Sequence, residues 1–204
     1  LGQVGHRVEI GQGLPLEFTP EIYPVTVVHF TSGSIEELEF GDLSAKLKTY
    51  IGSGGQVFLS GTAVKLLDLM GITEDRIGIR PSNYYYVRIK DIDHPVTDKY
   101  TLDQPIDLRS GGTIQEAILV EKLEDGIKYL GESRSSGEPS GYRYAMFETG
   151  YGDGRVFALG NASYNEYATL NEPSLRTLVW DIVDYLSTAP TAPVMSSEIQ
   201  EQGQ

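Results

Sequence analysis

The chain contains no cysteine. That single absence removes disulfides, thiolate metal sites and any cysteine nucleophile together. It leaves the compartment open, because a cysteine-free chain suits the cytosol and the exterior alike. Histidine is scarce as well, with three in 204 residues, so a metal site would have to draw on carboxylates. Basic residues are outnumbered: 16 Lys and Arg against 29 Asp and Glu give a net charge of −13. Without a Lys/Arg cluster to set against that charge, nucleic acid and anionic membrane surfaces are excluded as partners. No apolar run approaches the roughly 20 residues of a membrane helix, so no membrane insertion is expected, and no signal-like segment is present. The chain opens on Leu1 rather than an initiator Met, which reads as a processed or excised piece of a longer protein, extracellular, at the cell surface or cytoplasmic.

What is present is an ordinary globular composition, 40% hydrophobic and 22% charged, in a length that suits one domain with a tail. The organising stretch is residues 43–71. Leu43, Leu47, Tyr50 and Ile51 fall at helical spacing after Asp42, a plausible N-cap, and the glycines at 52, 54 and 55 stop that helix. A short apolar strand at 56–59 leaves through Ser60, Gly61 and Thr62. Ala63, Leu66, Leu67 and Met70 then repeat with helical period up to Gly71. An αβα unit of this kind belongs in a mostly parallel sheet covered by helices, with Val25 to Phe30 as a second buried strand beside it. In such sheets ligands gather beyond the carboxyl ends of the strands. The loops there supply the candidate ligand-binding residues Thr31, Ser32 and Gly33 after the first strand, Ser60, Gly61 and Thr62 after the second, and Asn161 after a later one.

Elsewhere, residues 76–90 alternate as β structure around a Pro81 interruption, a hairpin or two added strands. Residues 114–123 and 127–130 read as strands joined by a DG turn, and 144–149 and 155–159 as strands joined at Tyr151-Gly152-Asp153-Gly154. The last helix carries one stripe, Leu175, Leu178, Val179, Ile182, Val183 and Leu186, with Asn171 or Ser174 as cap and Pro173 in its first turn. Residues 1–188 are thus expected to form one α/β domain, and 189–204 a polar, Pro-containing tail.

Three local features carry two readings each. His29 lies inside the first strand, either as a hydrogen-bonded strand-end group or as a site residue. Asp91, Asp93 and His94 would hold a divalent cation if they converged, and otherwise form a solvated turn. Tyr84, Tyr85 and Tyr86 are either a sugar-stacking surface or the alternating faces of a half-buried strand. The glycines at 52–55 lack the Lys-Ser/Thr of a phosphate cradle and precede a strand, so they are a turn.

The helix, glycine turn, strand and helix of residues 43–71, the Asp93-His94-Pro95-Val96-Thr97 loop, and the run from Tyr151 to Gly160 before the final helix together resemble the class I glutamine amidotransferase-like superfamily, especially its trehalose-utilisation-type and other non-amidotransferase branches. The likeness extends over about residues 4–188 and implies a flavodoxin-like three-layer α/β sandwich, a mostly parallel central sheet with added antiparallel strands and its first strand missing. It also implies a degenerate triad. Ser60 stands where the active members carry Cys, outside a G-x-S-x-G frame. Gly160 and Asn161 stand where their His follows, and Glu166 echoes the acid with no His to orient. The expectation is a non-catalytic binding or assembly module without a cofactor, partnered by other domains or subunits and by a carbohydrate or other small molecule. The alternative is a hydrolase or sugar-processing enzyme of the trehalose-utilisation type that uses Ser60, His94 and Glu166.

Overall fold

The computed structural model describes residues 14–30, 37–82, 86–107, 114–119, 126–133, 143–160 and 173–188. Among the described residues, nine strands form one mixed sheet: β1 (Val25–Phe30), β2 (Gln56–Gly61), β3 (Ile77–Ser82), β4 (Tyr86–Ile89), β5 (Pro105–Asp107), β6 (Ile114–Leu119), β7 (Ile127–Glu132), β8 (Tyr144–Tyr151) and β9 (Gly154–Leu159). Seven follow the order β1-β2-β9-β8-β7-β4-β5, and β6 joins β8 from the side, carrying β3. The helices are α1 (Glu37–Gly52), a 3-10 turn (Thr62–Lys65) continued by α2 (Leu66–Leu69), and α3 (Pro173–Thr188). Among the described residues no helix is long and apolar enough to cross a membrane.

The α/β class is as expected, but the sheet is not mostly parallel. Only β1–β2 and β2–β9 pair in parallel, and every other described pairing is antiparallel. The physical reason is connection length: the two-residue turn between β8 and β9 can join only antiparallel strands, whereas parallel neighbours need a crossover such as α1. The first two strands are adjacent, as expected, yet β1 ends the described strand order instead of lying inside it.

Strand alternation sends residues to two cores, one on each face of the sheet. Val57 and Leu59 of β2 and Val156 and Ala158 of β9 meet Leu47, Tyr50 and Ile51 of α1 and Leu66 and Leu67 of α2. Phe58, Phe157 and Leu159 meet Leu175, Leu178, Ile182, Val183 and Leu186 of α3. The sequence stripe therefore identifies the buried face of α3, whose first residue is Pro173, where its missing N–H costs nothing.

Several local expectations are corrected. Asp42 lies within α1, not at its cap, because the helix begins at Glu37 and carries Phe40 against Phe30, with ring centroids 5.2 Å apart. The helix after β2 starts as a 3-10 turn, with only one α turn before Gly71 ends it at φ 69°. β3 runs through Pro81, tolerable because β3 pairs with β6 alone among the described strands and needs N–H donors on one side only. Of the two readings for residues 76–90, β3 and β4 are two added strands and not a hairpin; β6 and β7 are not a hairpin either, β7 pairing with both β4 and β8.

Candidate functional site

The carboxyl ends of β1, β2 and β9 are level, with His29 opposite Ser60 and Ser60 opposite Leu159. This register brings His29 Nδ1 and Ser60 Oγ to 2.8 Å on the α3 face of the sheet. Ser60 is fully buried. The chain leaves β2 at Gly61, whose φ of 62° and ψ of −140° are closed to side-chain-bearing residues. In a nucleophile elbow the strain falls on the nucleophile and lifts its oxygen into the open. Here the strained residue is the glycine after it, and among the described non-glycine residues positive φ occurs only at Glu74, Asp75 and Asp103. Thr62 is also buried, its hydroxyl donating to Phe30 O at 3.4 Å, so the turn is tied back to the end of β1.

A second polar cluster sits on the same face toward the other end of the strands. Glu148 of β8 points its carboxylate, only 12% exposed, at three partners. Oε1 accepts from Arg155 Nη1 of β9 at 3.0 Å and from the Tyr185 hydroxyl of α3 at 2.9 Å, and Oε2 meets His94 Nε2 at 3.1 Å. Tyr185 and Arg155 also touch each other. Burial alone would raise the Glu148 carboxyl, but the hydrogen bonds from His94 and Tyr185 and the charge of Arg155 outweigh it and hold the group below its ordinary value. Burial, then the neighbouring Glu148 charge, pushes Tyr185 up to about 12. The ring of His94 stands edge-on to Tyr185 at 4.7 Å and tilted to Phe157 at 6.0 Å. Its Nδ1 accepts the Val96 N–H at 3.1 Å, which makes Nε2 the protonated nitrogen of the neutral ring and the donor to Glu148.

Ser60 and His94, paired in the enzymatic alternative, thus have different partners. Ser60 meets His29, while His94 is 1% exposed and anchored at the Glu148 end. Asp91, Asp93 and His94 do not converge, and among the described residues no three acidic or histidine groups do. Asp91 Oδ1 accepts the Asp93 N–H at 2.8 Å, its Oδ2 lies 3.6 Å from Lys128 Nζ, and the His94 ring is turned to Glu148. Tyr86 is half-buried in β4 beneath Arg88, 5.3 Å from its ring, and Val87 and Ile89 are buried. Thr31, Ser32, Gly33, Asn161, Glu166, Tyr84, Tyr85 and the tail lie outside the described residues. Sequence reasoning missed Glu148, Arg155 and Tyr185 altogether. It did contain the signal for His29: two adjacent parallel strands of equal length bring their last polar residues level.

No family model and no curated protein sequence matches the chain. Solved structures similar to it include the following two. One is a thua-like protein from Parabacteroides merdae, 13% identical with a TM-score of 0.57, covering 86% of this chain and 74% of that one. The other is a cytoplasmic protein from Salmonella typhimurium, 12% identical with a TM-score of 0.50, covering 81% of this chain and 72% of that one. At such identities the likeness is one of fold: the chain shares an α/β architecture with a thua-like protein, and no residue's role comes with it.

Proposed function

We propose that the chain is a non-catalytic amidotransferase-like domain that serves as a binding or assembly module of a larger protein, with carbohydrate as its ligand class. The observation that carries this reading is the state of Ser60, the residue that the resemblance sets against the family's nucleophile: it is fully buried, with its hydroxyl tied to His29 and the unusual backbone conformation on Gly61. A nucleophile must reach its substrate, and this oxygen instead joins two strands. The carbohydrate class rests on the sequence's resemblance to the trehalose-utilisation-type branch, and the fold likeness to a thua-like protein agrees with it. A fluorophosphonate probe tests the absence of a serine nucleophile: the intact chain should stay unlabelled, and Ser60→Ala should bind oligosaccharides on a glycan array as the parent does. Stoichiometric labelling of Ser60 would replace this reading with a second one, favoured by the 2.8 Å contact, in which the base of a serine hydrolase is His29 and not His94. In that case His29→Asn would abolish the labelling.

A further inference from the structure

The loop between β4 and β5 is held at its start by His94, at its end by the backbone bonds of Asp103 and Gln104 to Ile89, and between them by Lys99 on Asp181; its second half lines a cleft. Three bonds converge on His94: Val96 N–H reaches its Nδ1, and both the Thr97 N–H (2.8 Å) and the Thr97 hydroxyl (3.2 Å) reach its carbonyl. Farther along, Tyr100, Gln104 and Ile106 face Pro173, Ser174 and Thr177 of α3 across a cleft of about 270 Å³. A proton on Nδ1 would set its N–H against the Val96 N–H, two donors with no acceptor between them, so the ring and the turn at 94–97 cannot keep this arrangement. We propose that His94 is a proton-sensitive clasp whose protonation opens the turn at 94–97 and loosens the loop as far as Tyr100, which lines the cleft against the first turn of α3, while Asp103 and Gln104 stay bonded to Ile89 of β4.

The charges around the clasp decide how it responds. From β8, Glu148 offers a negative charge that favours imidazolium, and from β9, Arg155 opposes it. From α3, Tyr185 stays neutral and Asp181 is occupied by Lys99. On the loop itself Asp91 is engaged by the Asp93 amide and faces Lys128. In the closed form Glu148 and Arg155 cancel, so a proton on His94 leaves one uncompensated positive charge in a nearly sealed site. Glu148 itself is held below the ordinary carboxylate range, so it keeps its charge under mildly acidic conditions.

Amide hydrogen exchange of the full chain at about pH 7 and pH 5, corrected for intrinsic rates, tests the clasp. Protection of the Val96, Thr97 and Tyr100 amides should fall roughly tenfold or more on acidification while that of β9 is unchanged. His94→Asn supplies a side-chain oxygen that accepts the Val96 N–H in an Asx turn and does not titrate, so its loop should keep one protection level at both pH values. Glu148→Gln removes the charge that favours imidazolium and should move the release to lower pH. An unchanged wild-type loop, an equal loss in His94→Asn, loss of β9 protection at the same pH, or a shift to higher pH in Glu148→Gln would each overturn the proposal.

Discussion

Gly154 is where the architecture tolerates least, and Gly154→Ala measures how tightly the β8–β9 hairpin is pressed onto the end of α1. A Cβ at Gly154 would sit 2.1 Å from Ile51 O and 2.4 Å from Gly55 O, both backbone atoms, against 3.4–4 Å for an ordinary contact. Neither oxygen can turn aside as a side chain would. The hairpin must retreat by roughly an ångström, stretching the Asp153 N–H to Gly52 O and Arg155 N–H to Gly55 O bonds, each already 3.3 Å. Two backbone bonds at about 1 kcal/mol each and an overpacking cost of about 1–3 kcal/mol give a loss of about 3–5 kcal/mol. Against it stands the lower entropy of the unfolded alanine chain, worth about 0.4–1 kcal/mol. For a domain of this size the net corresponds to a fall in Tm of about 10 °C, readable by circular dichroism. Gly150→Ala is the internal control, since its Cβ would meet Gly154 O at 3.7 Å, an ordinary contact. It should change stability by less than about 1 kcal/mol. If the two variants melt together, the close approach of hairpin and helix is wrong.

Two further outcomes concern the Glu148 cluster. Tyr185→Phe deletes the 2.9 Å bond to a buried carboxylate while keeping the ring against His94, and should cost about 1.5–3 kcal/mol in denaturant unfolding; a loss below about 0.5 kcal/mol would mean that the hydroxyl is not engaged. Because the folded Glu148 carboxyl lies below its ordinary value of 4.5, its contribution is fully present above that value and is lost as pH falls from 4.5 through the folded value. The acid limb of the stability curve should therefore be shallower in Glu148→Gln than in the parent, and identical limbs would refute the assignment.

How much of this fold the residues announce depends on the range over which each signal acts. The stripe of α3, the β8–β9 turn and the strands at Val25–Phe30 and Gln56–Gly61 were legible because each is a local pattern: a helical period, a glycine turn between apolar runs, a β-branched run. Pairing was not. β6 and β7 follow one another through a DG turn signal, yet β7 is bonded to β8 and β4. The expected parallel sheet came from reading the αβα unit as typical of the whole chain. Past β2 no further strand–helix–strand crossover recurs among the described residues, and the antiparallel additions follow from the shorter links.

The candidate sites divide in the same way. The turn at Ser60 was legible from topology alone, since strands of a parallel pair deliver their last residues to one edge, and His29 arrives there by the same rule. The Glu148 cluster was hidden because its members are remote in sequence: His94 and Glu148 are 54 residues apart, and Glu148 and Tyr185 are 37 apart. Only Glu148 and Arg155 are near, at 7, and across a hairpin that separation reads as an exposed pair. What buries it is α3, whose apolar stripe draws the helix onto Phe157 and Leu159 and so carries Tyr185 over the carboxylate. The polar cluster is thus a consequence of apolar packing between distant elements. His94 stood out in the sequence as a loop histidine with catalytic potential, and it is as near to Phe157 and Tyr185 as a core residue. At 1% exposure it is packed as one, and the element that packs it is the same α3 that covers Glu148.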